Sequence, residues 1–274
     1  MKAGQSQSSQ FVLPPLPELR STLVFGRTIR YYDIGRGSPL VLIHGIGGDA
    51  DDWAFCLQPL SSSHRVIALD MLGFGRSDKP FIAYCIQFWV EVLERFLRNL
   101  DLSRATLIGA SLGGWITAAF ALQHPDAVEK LVLVDAAGVW GNTTELPIDL
   151  HVSSRQHMRE VCEFLFYDKS LATDALIDLA YEQHLERGDG HTIHRALETL
   201  RSGREFLDKK LSALATPTLI VWGEQDALIP VETGRGMQKL ILGSSLAVIP
   251  RCGHMPELEK PAELVRCVLE FLQQ

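Results

Sequence analysis

The chain has 274 residues, of which 46% are hydrophobic and 22% are charged, a composition typical of a soluble globular protein with a sizeable core. Its 26 basic and 33 acidic side chains give a formal net charge of −7. Binding to nucleic-acid phosphates requires clustered Lys and Arg, and the sequence has no dense basic run. We therefore expect no nucleic-acid partner.

The five cysteines are odd in number, widely scattered and without a Cys-x-x-Cys pair: Cys56, Cys85, Cys162, Cys252 and Cys267. This spacing indicates free thiols in a reducing compartment, not a disulfide framework or a thiolate zinc site. The first ten residues lack the apolar core of a signal peptide, and no apolar run approaches the ~20 residues that span a bilayer. We expect a cytoplasmic protein with no stable membrane insertion.

Residues 1–20 are rich in Ser, Gln and Pro and are predicted to form a flexible tail. A strand–turn–strand pattern begins at Leu23. Short apolar runs with many β-branched residues follow, and each is a predicted strand: 39–43, 66–69, 105–108, 131–134, 217–222 and 246–249. Strands that are apolar on both faces are typical of a parallel sheet covered by helices on both sides.

Helical periodicity fills most of the intervals between these strands. Residues 88–100 and 262–272 have the apolar spacing of amphipathic helices, and residues 112–123 are more uniformly apolar. The alternation predicts an α/β fold with a mostly parallel eight-stranded sheet and helices on both faces.

One long interval contains helical pattern but no strand-like run. It comprises residues 139–207, and ordered loops of this length are rare, so we predict a helical cap there. The remaining residues, 21–138 and 208–274, are predicted to form the α/β core.

The segment Gly109-Ala110-Ser111-Leu112-Gly113 matches Gly-x-Ser-x-Gly. It lies between the predicted strand 105–108 and the predicted helix 112–123, which is the setting that a nucleophile elbow requires. The helix N-terminus also favours negative charge at the reaction centre. Ser111 is therefore the predicted nucleophile.

A glycine-rich segment, His44-Gly45-Ile46-Gly47-Gly48, follows the strand 39–43. In folds with a nucleophile elbow, the loop at this place supplies one backbone N–H of the oxyanion hole, and the residue after the nucleophile supplies the other. We therefore assign the amides of Ile46 and Leu112 to an oxyanion hole. His44 is predicted to be a structural hydrogen-bonding residue.

Asp226 and His254 each follow the C-terminal end of a predicted strand, where open α/β sheets place their sites. A serine needs an adjacent base, and that base needs a carboxylate to fix its tautomer. The chain order Ser111, Asp226, His254 is the order expected for this kind of site. These three residues are the predicted catalytic triad.

Other assignments are weaker. Asp135 directly follows the strand 131–134 and stays an alternative acid, whereas Asp70 is predicted to hydrogen-bond within its own glycine-rich turn. His191 and His194 lack a third metal ligand at suitable spacing, and the glycines after His44 lack the pattern for dinucleotide binding. No metal and no cofactor are expected.

Three motifs together resemble those of the α/β-hydrolase fold superfamily. Besides the elbow, the run from Asp70 to Ser77 is similar to the family's Asp-x-x-Gly-x-Gly-x-Ser turn, and the run from Gly253 to Pro261 is similar to its histidine loop. The resemblance implies the serine branch of carboxylesterases, lipase-like enzymes and C–C hydrolases. Related dehalogenases and epoxide hydrolases have Asp at the elbow, where this chain has Ser111.

Within this branch two reactions stay open. The main prediction is a carboxylic ester hydrolase that acts through an acyl-enzyme on a small to medium apolar ester. The alternative is a cofactor-free C–C hydrolase of 2-hydroxy-6-oxodienoates, whose cap resembles residues 166–174. Those enzymes usually have an Arg in the next cap helix and a Trp after the histidine, where this chain has Leu179-Ala180-Tyr181 and Met255. The missing guanidinium favours the ester reaction.

A third possibility is a ligand-binding relative that keeps the fold without catalysis. The complete set of Ser111, Asp226 and His254 argues against this hypothesis.

Overall fold

The computed structural model describes residues 13–139 and 146–274. Residues 1–12 of the predicted tail and 140–145 of the predicted cap lie outside the described residues. The strands are β1 (Arg20–Val24), β2 (Arg27–Gly35), β3 (Pro39–Ile43), β4 (Arg65–Leu69), β5 (Ala105–Ala110), β6 (Val128–Val134), β7 (Thr218–Gly223) and β8 (Ser245–Ile249).

The helices are α1 (Ala54–Ser61), α2 (Ile86–Asn99), α3 (Leu112–Gln123), α4 (Arg155–Leu165), α5 (Asp174–Arg187), α6 (Gly190–Ser202), α7 (Val231–Leu240), α8 (Pro256–Glu259) and α9 (Pro261–Leu272). Short 3₁₀ segments cover Ala50–Trp53, Pro125–Ala127, Lys169–Leu171 and Leu211–Ala213. None of the helices in the described part of the chain is long and apolar enough to cross a bilayer.

One sheet contains all of these strands, in the order β1-β2-β4-β3-β5-β6-β7-β8. The pairs β1–β2 and β2–β4 are antiparallel, and every other pair is parallel. The predicted mostly parallel, eight-stranded α/β sheet is therefore confirmed. Because β3, β5, β6, β7 and β8 run in parallel, their carboxyl ends meet at one edge of the sheet.

Both faces of the sheet are covered. Along β3, Val41 and Ile43 pack with side chains of α2 and α3, whereas Leu40 and Leu42 pack with side chains of α1 and α9. Each such buried aliphatic side chain stabilises the fold by about 1.5–3 kcal/mol relative to exposure. Alternate residues of one strand thus hold helices on opposite faces, which explains the uniformly apolar runs in the sequence.

Helices α4, α5 and α6 lie between β6 and β7 in the chain. We call the described residues 146–207, which contain them, the helical insert. Ser154 and Thr173 cap α4 and α5 by accepting hydrogen bonds from the N–H groups of the first turn, and α5 ends at the left-handed Gly188. The insert ends next to the segment that follows β6, since the Leu207 N–H donates to the Gly138 carbonyl at 2.8 Å.

Candidate active site

Ser111 lies between β5 and α3 with φ = 50° and ψ = −115°, a conformation that strains a residue with a side chain. Its flanking glycines allow close backbone contact. A Cβ atom on Gly109 would lie 2.3 Å from the Gly113 carbonyl oxygen, and one on Gly113 would lie 2.3 Å from the Ile43 oxygen. The tight turn presses the start of α3 against the end of β3 and leaves Ser111 at the carboxyl edge of the sheet.

The glycine-rich loop after β3 packs against this serine. A Cβ atom on Gly45 would lie 3.3 Å from the Ser111 Cβ. Ile46 lines the same cavity as Ser111, and Ile46 and Leu112 share a smaller neighbouring hollow with it. The structure thus brings both residues of the predicted oxyanion hole next to Ser111.

Asp226 and His254 form a buried pair after β7 and β8. The His254 Nδ1 lies 2.7 Å from the Asp226 Oδ2. The other Asp226 oxygen accepts hydrogen bonds from the N–H groups of Leu228 and Ile229 at 2.8 and 2.9 Å. His254 lines the cavity that contains Ser111. Since Nδ1 faces Asp226, Nε2 is the ring nitrogen left for a partner in that cavity.

Asp226 also controls the titration of this histidine. Burial lowers the pKa of His254, but the charge of Asp226, its hydrogen bond and the charge of Glu257 together outweigh burial, so that this pKa is raised above its ordinary value. The pair therefore favours a histidine that can take up a proton.

Asp135, the alternative acid, lies beside this pair and does not make the bond to His254. Its Oδ1 accepts a hydrogen bond from the Gly223 N–H at 2.9 Å. Burial, reinforced by the charge of Asp226, raises the pKa of Asp135 well above its usual range and so favours its neutral form. In the described part of the chain, only Asp135, Asp226 and His254 bring three potential metal-ligand atoms within 4.8 Å of one another.

His44 and Asp70 join the loops around the site. The His44 ring lies between the Gly45 carbonyl, 2.7 Å from Nδ1, and the Met71 N–H, which donates to Nε2 at 3.0 Å. Burial lowers the pKa of His44 to about 4, so it is neutral near pH 7. Asp70 accepts hydrogen bonds from the Arg76 backbone and guanidinium within its own turn. Both residues have the structural contacts that their sequence positions predict.

The cavity over Ser111 and His254 has two kinds of surface. We call one the apolar wall, because it consists of aliphatic and aromatic side chains of the helical insert: Met158, Val161, Leu165, Phe166 and Leu176. We call the other the polar wall. It contains Asp52 from the segment after β3, Arg187 from the end of α5, and Glu257 from α8.

Arg187 is the only Arg or Lys among the described residues that line this cavity. Its side chain is 13% exposed and forms an ion pair with the buried Asp49. Sequence reasoning missed Arg187, because it considered only residues 179–181 of the same helix. Arg187 lies seven residues after Ala180, which is two helical turns, so both side chains line the cavity from one face of α5.

Glu259 is a second residue whose role sequence reasoning missed. Its carboxylate accepts hydrogen bonds from the N–H groups of Gly253, Tyr167 and Asp168 at 2.8, 3.0 and 2.8 Å. In addition, the His254 N–H donates to the Leu165 carbonyl at 2.8 Å. These bonds join the histidine loop to the end of α4. The position of Glu259 in the histidine-loop motif was the available signal.

Comparisons with known proteins agree with this geometry. A model of the α/β hydrolase fold family matches residues 38–165. The chain is 34% identical to the 2-hydroxy-6-oxo-2,4-heptadienoate hydrolase of Pseudomonas putida, over 92% of this chain and 95% of that protein. It is 33% identical to the 2-hydroxymuconate semialdehyde hydrolase of a Pseudomonas species, strain CF600, over 94% of this chain and 95% of that protein.

Among solved structures, the chain is similar to the meta-cleavage product hydrolase of Pseudomonas fluorescens IP01. The TM-score is 0.87 at 31% identity, over 93% of this chain and 97% of that one. The sheet and the serine elbow thus define a hydrolase. More particularly, the chain belongs to the α/β-hydrolase fold family, as the sequence motifs predicted.

The main sequence prediction, a carboxylic ester hydrolase, is wrong. The similar proteins are named as hydrolases of 2-hydroxy-6-oxo-2,4-heptadienoate, of 2-hydroxymuconate semialdehyde and of a meta-cleavage product, which agrees with the alternative reaction. The sequence favours the ester reaction over that alternative because Leu179-Ala180-Tyr181 contains no Arg. The structure places an Arg that this argument did not consider, Arg187, among the residues that line the same cavity, two turns further along α5.

Proposed function

We propose that this chain hydrolyses the C5–C6 bond of 2-hydroxy-6-oxo-2,4-dienoates. The observation that carries the proposal is the presence of Arg187 in the cavity of Ser111 and His254. Such substrates have an acyl group at one end and an anionic carboxylate at the other. The acyl group suits the apolar wall, and a carboxylate is the anion that a guanidinium binds best.

In this proposal Ser111 is the nucleophile, His254 the base and Asp226 the group that orients His254. His254 takes the Ser111 proton as the serine oxygen adds to the C6 carbonyl. The amides of Ile46 and Leu112 donate to the oxyanion that forms on C6. The strained turn at Ser111 and the short His254–Asp226 bond support these roles.

Breaking a carbon–carbon bond requires a leaving carbon that can hold an electron pair. In this substrate the leaving carbon is C5. Ketonisation of the dienol first moves the proton of the C2 hydroxyl to C5, which makes C5 a saturated carbon. When the C5–C6 bond breaks, its electron pair delocalises through the remaining double bond onto the C2 oxygen. The proton that His254 took from Ser111 then balances this charge, and the product is a 2-hydroxy-2,4-dienoate. Water, activated by His254, finally releases the acyl group from Ser111 as a carboxylic acid.

The test is to supply 2-hydroxy-6-oxo-2,4-heptadienoate to the purified protein and to quantify the products. The proposal predicts acetate and 2-hydroxypenta-2,4-dienoate in equal amounts. Labelling of Ser111 by a fluorophosphonate reports separately that the nucleophile is reactive. A protein that labels at Ser111 but leaves the dienoate intact would refute the proposed function.

A further inference from the structure

Glu257 is a buried acid for which the mechanism above has no use. It lies on α8, three residues after His254, and is 3% exposed. Its Oε2 has no hydrogen-bond partner among the described residues, although the side chain lines the cavity of Ser111. A buried polar atom without a partner is costly to a fold, so its place in a cavity wall indicates a ligand.

The surroundings of Glu257 are acidic. The titratable groups that act on it are His254 and Asp226, and it acts in turn on His254, Asp135, Asp52 and the Cys56 and Cys252 thiols. No Lys or Arg within the described ranges pairs with the carboxyl group of Glu257. The negative charges of the nearby acids therefore oppose the ionisation of Glu257.

From this geometry we propose that Glu257, in its protonated form, is a substrate-binding residue whose Oε2–H donates a hydrogen bond to the carboxylate of the substrate. The proposal rests on the proposed function and deepens it. A neutral carboxylic acid and an anionic oxygen form a strong, charge-assisted bond, whereas an ionised Glu257 would repel the same anion. Glu257 thus complements Arg187, which supplies the positive charge of the polar wall.

This arrangement makes substrate binding sensitive to pH. Burial raises the pKa of Glu257 to about 7, although its own backbone N–H and His254 act in the opposite direction. The donating form is therefore present below about pH 7 and is lost as the pH rises through that value. Ionisation of His254 affects the turnover step instead, so the two groups are separated by comparing KM with kcat.

The experiment measures KM for 2-hydroxy-6-oxo-2,4-heptadienoate across pH 5.5 to 9 in the wild type, Glu257→Gln and Glu257→Leu. We expect KM of the wild type to rise above about pH 7. The amide of Glu257→Gln still donates, so its KM stays low and flat with pH. Glu257→Leu raises KM about 10-fold or more at low pH, which corresponds to the loss of one hydrogen bond to a charged group. The exposed Glu263→Gln is the matched control and keeps the wild-type profile.

A second measurement does not depend on dienoate cleavage. Bound 2-oxopentanoate should slow the labelling of Ser111 by a fluorophosphonate, with a Kd that rises above about pH 7 in the wild type and stays flat in Glu257→Gln. If Glu257→Gln keeps the wild-type pH dependence of KM and Kd, or if Glu257→Leu leaves both unchanged, the assignment of Glu257 is wrong. If the wild type labels but cleaves no dienoate, the proposed function fails, and the 2-oxopentanoate result alone decides the role of Glu257.

Discussion

The two surfaces around the cavity, the α/β core and the helical insert, hold their residues in different ways. In the core, close backbone contacts fix the chemical groups: a Cβ atom on Gly113 would lie 2.3 Å from the Ile43 oxygen at the end of β3, and one on Gly223 would lie 2.0 Å from the Gly253 oxygen. In the insert, α4 and α5 begin at capping residues and pack through a small apolar cluster and through surface ion pairs such as Arg159–Asp174. Single side chains can therefore change in the insert at little cost to the fold, whereas the core tolerates few changes near Ser111.

From this contrast we propose that the core carries out the chemistry and that the insert performs much of the substrate selection. Arg187 and the apolar wall come from the insert, and Ser111, Asp226 and His254 come from the core. The predictions below test that division, beginning with the largest expected effect.

Ser111→Ala should lower kcat for the heptadienoate on the order of 10⁶-fold, because the acyl-enzyme can no longer form. The change removes one hydroxyl from a partly buried position, so the circular dichroism spectrum and the midpoint of urea unfolding should stay close to the wild type. A folded variant with more than a few per cent of wild-type turnover would show that another group is the nucleophile.

Asp226→Asn should lower kcat on the order of 10⁴-fold, since the amide no longer holds His254 in the required tautomer. Asp135→Asn is the matched control. Burial favours the neutral form of Asp135, and its carboxyl group does not bond to His254, so an amide of the same size should change kcat far less. A large loss of kcat in Asp135→Asn, together with a nearly unchanged kcat in Asp226→Asn, would reverse the assignment of the acid.

Glu259→Ala should destabilise the protein by about 2–4 kcal/mol, because three N–H groups lose a charged acceptor where the insert meets the histidine loop. Urea denaturation measures this loss in the free energy of unfolding. Glu263→Ala, on the exposed side of α9, should stay within about 0.5 kcal/mol of the wild type. Equal stabilities of the two variants would mean that Glu259 does not join the two regions.

The smallest effect concerns the pH dependence of kcat. His254 must be neutral to accept a proton, so kcat should rise with pH through the ionisation of this residue. Because Asp226 raises the pKa of His254, the midpoint should lie above the ordinary value of about 6.5 and should move down in Asp226→Asn. A flat kcat between pH 5 and 8 would contradict a histidine base.

The core was largely predictable from the sequence. Strands such as β3 and β5 are apolar on both faces, so their positions follow from composition alone. Helices α1 and α7 were not predicted, because Pro59 lies inside α1, and Gly234 and Gly236 lie inside α7. Tertiary packing explains Gly234, since a Cβ atom there would lie 2.5 Å from the Trp222 ring.

The polar wall was not predictable in the same way. Ser111 and His254 occur in local motifs, whereas Arg187 and Glu257 become neighbours of the site only through the packing of α5 and α8 around it. Periodicity places Arg187 on the same face of α5 as Ala180, but it does not show that this face covers the cavity. The reaction was therefore misassigned although the predicted triad residues lie together.

One double variant tests the division between core and insert most directly. Asp49→Asn/Arg187→Met removes the guanidinium without leaving a buried, unpaired carboxylate, and Asp49→Asn alone is its control. We expect kcat/KM for the heptadienoate to fall on the order of 10²-fold in the double variant relative to Asp49→Asn, while the rate of fluorophosphonate labelling at Ser111 falls far less. Equal losses in both measurements, or an unchanged kcat/KM, would contradict the assignment of substrate selection to Arg187.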